Sequence, residues 1–324
     1  MLIHNGVASL AVVPAAFLLL SLSAFTPGEA AGVKDTPAYS DPSVIVIPHE
    51  ASAAETAGGA PGFEGTGKRP LEGRGTETAE DFEALLAVPP ASGALGAAEV
   101  IIGVDRRQRV YTKTFPSRAV VYISSSLGGC SGNLIGKDTV LTAGHCVHSG
   151  GSGGTWASSV TVYPGRDGSA APFGSCGASW LASVSGWTVN GDEKFDYGVV
   201  KLNCDVGNTV GWFGFFWTSD SLENTPTTIN GYPGDKPLTQ WLSVDKVRIS
   251  QGKQVFYKND SQPGNSGGGV WQDGPPGSVC TGACIMAIHA YGTHGAAPHA
   301  DHNHGTRIDQ ARFNNLVNWR NAAK

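Results

Sequence analysis

Apolar positions along the chain fall into two regimes. Residues 6–25, GVASLAVVPAAFLLLSLSAF, form one uncharged apolar run with no polar face. From residue 100 onward the apolar residues come in short runs rich in Val, Ile, Tyr or Thr, each bounded by Gly, Pro, Asn or Asp. Runs of this kind predict strands, here over Ala119–Ser124, Asn133–Ile135, Val140–Ala143, Val160–Tyr163, Tyr197–Leu202, Thr228–Tyr232, Gln240–Ser250 and Ile285–His289. Gly136-Lys137-Asp138 reads as a hairpin turn between two of them. Many short strands at this spacing predict an all-β sandwich or barrel body. One good helix is expected, Ile308–Arg320, where Phe313, Leu316 and Val317 share a face and Thr306 or Asp309 can serve as N-cap. Between the two regimes, residues 32–99 show no sustained period apart from Ala79–Val88, which has room for one or two helical turns.

Composition sharpens this picture. The chain of 324 residues holds 45 Gly, about twice the usual share, which favours tight turns over long helices. Its 40% apolar content can bury a sizeable core, and 15% charged residues argue against full-length disorder or a coiled coil. A net charge of -5 excludes a strongly basic nucleic-acid binder. The charge is uneven: residues 1–99 carry 4 basic and 12 acidic side chains, residues 100–324 carry 18 and 15. All six cysteines and all eight tryptophans lie after residue 99, so the first 99 residues are expected to stand outside the folded body.

The apolar run is followed by Pro27-Gly28 and then Glu29-Ala30-Ala31, so residues 1–31 read as a secretory signal peptide. A membrane anchor is the rival reading, because the run nearly spans a bilayer and no Lys or Arg precedes it; Pro14 and the small-residue exit count against it. Residues 32–99 are then a propeptide removed after secretion, with a disordered linker as the plainer alternative. In a secreted chain, Cys130, Cys146, Cys176, Cys204, Cys280 and Cys284 imply disulfides, and spacing alone does not select among the pairings. A zinc reading of the cysteines lacks any CxxC pair.

Three motifs carry candidate chemistry. Leu141–Cys146 (LTAGHC) puts His145 after a strand and beside a cysteine; Phe195–Leu202 (FDYGVVKL) puts Asp196 at the head of a strand; Pro263–Gly268 (PGNSGG) flanks Ser266 with glycines. Taken singly, each has a bland reading: a structural histidine, a strand-capping Asp, a Gly-rich loop. Together they follow the order His, Asp, Ser, the chymotrypsin order of the catalytic triad. With them stand Val100–Gly103 (VIIG) with Asp105-Arg106, Tyr122–Ser126 (YISSS), Tyr163–Arg166 (YPGR), Gly207–Gly211 (GNTVG), Gly231–Lys236 (GYPGDK), Ile288-His289 and Gly305–Ile308 (GTRI). On these residues the chain from 100 to 324 resembles chymotrypsin-fold serine proteases, and specifically the bacterial glutamyl endopeptidases of the Bacillus-type branch.

The resemblance implies two antiparallel six-stranded β-barrels with the active site between them and a C-terminal helix. It implies Ser266 as nucleophile, His145 as general base and then acid, and Asp196 as the group that orients His145. The N–H groups of Gly264 and Ser266 would form the oxyanion hole, worth about 3–4 kcal/mol of barrier per donor. It implies a Cys130–Cys146 bridge at the histidine loop and a short Cys280–Cys284 bridge, which leaves Cys176 with Cys204, a pairing no motif supports.

Two readings of specificity compete. Asp260, six residues before Ser266, sits where trypsin-like enzymes place the Asp that binds Arg or Lys. The resemblance instead assigns His289, as a charged imidazole, and the hydroxyl of Ser261 to bind the carboxylate of a substrate Glu, and an Asp at the offset of Asp260 also occurs in Glu-specific relatives. Cleavage after Glu, and weakly after Asp, is the reading adopted. Asn265 replaces the Asp that receives the new N-terminus in trypsin-like enzymes; the family's alternative places the α-amine of Val100 near the pocket, and Glu99-Val100 is itself a plausible self-cleavage site. His289, His294, His299, His302 and His304 cluster in sequence, but their spacing matches no metal site and an exposed loop is expected. Gly211–Trp217 (GWFGFFW) reads as core or barrel surface. The expected partners are peptide or protein substrates; neither nucleic acid, metal, cofactor nor, after processing, a membrane is called for, and a secreted monomer is expected. A non-catalytic secreted binding module is the rival class, against which the complete triad argues.

Overall fold

The computed structural model describes residues 34–67, 79–91 and 100–324. The signal peptide read at 1–31 and Glu99 lie outside the described residues. In chain order the strands are β1 (Pro37–Tyr39), β2 (Gly59–Ala60), β3 (Gln108–Arg109), β4 (Val120–Ser125), β5 (Gly128–Leu134), β6 (Thr139–Thr142), β7 (Val160–Pro164), β8 (Cys176–Val184), β9 (Gly198–Leu202), β10 (Gly214–Phe216), β11 (Pro226–Gly231), β12 (Trp241–Lys246), β13 (Ile249–Ser250), β14 (Gln254–Tyr257), β15 (Gly269–Gly274), β16 (Gly282–Tyr291) and β17 (Asn303–Arg307).

Six of them, β4–β5–β6–β9–β8–β7, pair antiparallel in a ring that closes from β7 back to β4. Val121, Ile123, Val140, Val162, Leu181 and Val199 fill this barrel and are fully or almost fully buried. The second sheet runs β13–β14–β17–β16–β15–β11–β12–β3 and is an open half-barrel, where a second closed six-stranded barrel was expected. The expected single strand Gln240–Ser250 bends at Val247 and Arg248, whose N–H groups turn to Thr225 O on one side and Phe256 O on the other. The second sheet is also not purely antiparallel, because β10 runs parallel to β16. The aromatic run around β10 is core, as expected, with Phe213 and Phe215 fully buried.

The C-terminal helix spans Gln310–Asn321 and is capped by Asp309, whose carboxylate accepts the Arg312 N–H at 3.0 Å. Thr306, the other candidate cap, belongs to β17. Phe313, Leu316, Val317 and Trp319 are buried, and the helix end receives the Lys201 ammonium on the carbonyls of Trp319 and Arg320.

The front segment departs from expectation. Residues 34–67 are built onto the body: β1 adds antiparallel to β8, and β2 to β10. Buried Asp35 pairs with Lys253 at 3.0 Å, and buried Glu55 with Arg320 at 2.5 Å. Charge counts and missing periodicity do not reveal this, because a segment that adds to a finished sheet borrows its pairing and needs little core of its own. A helix forms at Ala79–Leu86, within the stretch read as helical.

Candidate active site

All three motifs converge between the two halves. Strand β6 ends in a 3-10 turn, Gly144–Cys146, that carries His145. A second 3-10 turn, Glu193–Phe195, leads into Asp196 just before β9, the partner of β6. Asp196 Oδ2 lies 2.7 Å from His145 Nδ1, and its Oδ1 accepts the His145 backbone N–H at 2.8 Å. Both residues are buried, so one carboxylate fixes the ring and the turn that holds it. Gly144 is required here, because a Cβ would lie 2.9 Å from Asp196 Oδ1 and 2.8 Å from Trp187.

Ser266 sits on a loop bonded to both halves. Its carbonyl accepts from Ser131 N, on β5, at 2.8 Å, and the next residue, Gly267, donates its N–H to His289 O, on β16, at 2.7 Å. Cys146 Sγ is 3.7 Å from the same Ser266 carbonyl, and Cys146 is bridged to Cys130. The histidine turn and the serine loop are thus held against each other. Gly264 has φ +103°, a conformation L side chains rarely adopt, and a Cβ there would approach Tyr232 O to 2.7 Å. Its carbonyl is fixed by the Ser131 hydroxyl at 2.8 Å. The other bridges are Cys176–Cys204 and Cys280–Cys284.

Beside the serine loop lies a buried polar chain. His289 Nε2 is 2.7 Å from Ser261 Oγ, its Nδ1 is 2.8 Å from the Tyr257 hydroxyl, and Asn265 Nδ2 donates to Ser261 Oγ at 3.1 Å. His289 was read as a charged imidazole, and here the physics differs. Burial first, then His304 and His145 nearby, push its pKa down to about 3, so the ring is neutral at neutral pH. Tyr257 has no distinguishing motif; only the β14–β17–β16 ladder brings it to His289.

Asp260 is buried but does not point to this chain. Its carboxylate accepts the N–H groups of Ile102 at 3.0 Å and Arg106 at 2.9 Å. Val100 lies alongside: its carbonyl accepts from Ser261 N at 3.2 Å and from Asn303 Nδ2 at 2.7 Å, and its N–H donates to Asn303 Oδ1 at 3.2 Å. Asn303 was not singled out in the sequence. Residues 85–90 of the front segment line a groove with Tyr122, Gly129 and Gly264, and Pro89 O and Ala91 N bond to Gly129.

Residues 292–301 form a partly exposed loop, as expected, but His304 lies on β17 and is buried. The ladder between β16 and β17 slips between His289 and Tyr291, and His304 stacks on Tyr291 with ring centroids 5.3 Å apart. His294, His299 and His304 gather around Glu193, with ligand atoms within 4.8 Å of one another. Spacing along the chain hid this cluster because Glu193 comes from the turn before Asp196, about a hundred residues upstream. His302 turns away to Asp301 and Pro298 O.

A model of the trypsin family matches residues 104–309. The glutamyl endopeptidase of Bacillus licheniformis is 38% identical over 304 residues, 92% of each chain. A Bacillus subtilis protein named extracellular metalloprotease is 37% identical over 270 residues, 80% of this chain and 79% of that one. A solved Glu endopeptidase in complex with MPD superposes with TM-score 0.61 at 28% identity, covering 68% of this chain and 100% of that one. Among the described residues no helix is long and apolar enough to cross a membrane.

Proposed function

The chain belongs to the trypsin family of serine endopeptidases, with glutamyl endopeptidases among its homologues, and from that premise we propose that it is secreted and cleaves peptide bonds after Glu, more weakly after Asp. Ser266 Oγ attacks the scissile carbonyl while His145 takes its proton and passes it to the leaving amine. Asp196 holds the His145 ring by its Nδ1 and stabilises the imidazolium that forms. The N–H groups of Gly264 and Ser266 receive the developing oxyanion, and water then releases the acyl group from Ser266.

One observation carries the specificity. The Gly267 N–H bonds to His289 O, so the His289–Ser261 pair sits one residue from the nucleophile. A hydroxyl and an imidazole N–H at that place suit a carboxylate. Asp260, the rival determinant, spends both oxygens on the backbone of Ile102 and Arg106, which speaks against cleavage after Arg or Lys. The described part of residues 32–99 is read as a propeptide because it adds strands to both halves and its residues 85–90 form part of the wall of the groove beside Gly264. Cleavage before Val100 frees an α-amine next to Ser261 and Asn303.

The test is to digest a peptide library with processed protein and map the residue before each cut. Cuts after Glu, abolished by Ser266→Ala and weakened by His289→Ala, are expected. Cuts after Arg or Lys overturn the specificity, and none at all from correctly processed protein overturns the activity.

A further inference from the structure

We propose that Glu193, His294, His299 and His304 form a structural site for a divalent transition-metal ion of the zinc class. The Nε2 atoms of His294 and His299 lie 3.2 and 3.0 Å from the two oxygens of Glu193, and that of His304 lies 3.8 Å from Oε2. Around a tetrahedral zinc, with bonds of about 2.1 Å, neighbouring ligand atoms stand roughly 3.4 Å apart. The contacts to Glu193 are of that order, divided between its two oxygens, and one ligand atom from each of the four groups lies within 4.8 Å of the others before any ion is added.

Hydrogen bonding does not account for the cluster. The Nε2 atoms of all three histidines and Glu193 Oε2 are shielded from solvent and make no aligned hydrogen bond, and fully buried His304 reaches Glu193 Oε2 only at 3.8 Å. A divalent cation would draw one atom from each of these four groups into a single coordination shell. Three imidazoles and one carboxylate suit Zn²⁺ or Co²⁺, whereas Ca²⁺ and Mg²⁺ ask for oxygen ligands throughout.

The surroundings are those of a supported site. Gln254 Nε2 donates to Glu193 Oε1 at 3.1 Å, and Phe256 packs on His299 and His304 with ring centroids 5.0 and 5.2 Å away. Glu193 opens the turn that ends at Asp196, and Thr306, two residues after His304, donates its hydroxyl to Asp196 O at 3.0 Å. Bound metal would tie residues 294–304 to the element that carries Asp196. It takes no part in bond cleavage.

The test uses the full chain with Ser266→Ala to prevent self-digestion. Chelator-treated protein is titrated with Co²⁺, then with Zn²⁺. Expected are one equivalent of Co²⁺ bound, the intense visible absorption of a four-coordinate cobalt site, its loss as Zn²⁺ displaces cobalt, and a raised melting temperature. His294 and His299 lie in a partly exposed loop, so the double variant His294→Ala, His299→Ala should retain its circular dichroism while binding Co²⁺ at least about 100-fold more weakly. Glu193→Gln provides a second, single-atom variant with the same expected loss. Failure to bind one equivalent, stabilisation by Ca²⁺ but not Zn²⁺, or unchanged cobalt binding in these variants overturns the proposal.

Discussion

Asp260 Oδ1 accepts the backbone N–H of Ile102 at 3.0 Å, tying the residue six positions before Ser266 to the segment that begins at Val100. Its other oxygen holds Arg106 N. An Asp engaged in this way is a clamp on the segment that follows Val100. Replacing it with Asn leaves one buried N–H facing a donor, at a cost of about 1–3 kcal/mol. Asp260→Asn is therefore expected to lower the melting temperature and kcat/KM without changing the residue cleaved after. A switch of preference away from Arg or Lys, measured on matched peptides, would show that Asp260 governs the pocket.

His289 faces the opposite test. Its loss leaves Tyr257 and Ser261 without their shared partner and removes the imidazole offered to substrate. His289→Ala should reduce kcat/KM for a Glu peptide by at least about 100-fold. The matched Gln peptide, with no charge to hold, should lose far less. Equal losses on both substrates would reduce His289 to a packing role.

The neutrality of His289 sets a pH dependence with a definite sign. In the free protein its pKa is pushed down to about 3, so it carries no proton at assay pH. A bound carboxylate raises that pKa, so the complex takes up a proton that the free enzyme lacks. Linkage then makes the Glu-over-Gln ratio of kcat/KM rise as pH falls from 9 towards 6, until the substrate Glu is itself protonated. Taking the ratio cancels the titration of His145. A flat ratio would mean that His289 binds the carboxylate as a neutral donor throughout.

In the triad, Asp196→Asn should preserve the fold, since the amide can occupy the same buried space, yet lower kcat by about 10⁴-fold through the wrong His145 tautomer. Ser266→Ala should be at least as severe. Turnover by Asp196→Asn within tenfold of the parent would contradict the assigned role.

Processing can be followed on the same variants. The Ser266→Ala chain should keep its front segment when pure and lose it when active enzyme is added in trans, giving an N-terminus within 98–103 by mass spectrometry. An N-terminus well outside that window, or unaided processing of Ser266→Ala, would rule out self-cleavage before Val100. Before the cut, activity should be low, because residues 85–90 fill one wall of the groove beside Gly264 of the serine loop.

Local chemistry determined a good deal of this protein by sequence alone. Leu141–Cys146 and Pro263–Gly268 announce a histidine turn and a glycine-flanked serine because what each needs, a Gly144 too close to Asp196 for a Cβ and positive φ at Gly264 and Gly267, is met within the motif. The same holds for Asp309 as helix cap, and for strands such as Val140–Ala143 whose apolar residues suffice to mark them. Strand β17, Asn303–Arg307, was invisible because its polar side chains are buried by partners far away: Asn303 by Val100, His304 by Phe256 and Tyr291, Thr306 by Asp196. The docking of residues 34–67 was invisible for a related reason, since β1 completes itself only against β8. That the Asp260 carboxylate turns to the backbone of Ile102 and Arg106, and that three of the five tail histidines meet Glu193, depended on which atoms point at which. Periodicity carries no such information across a hundred residues; the ladder registers do.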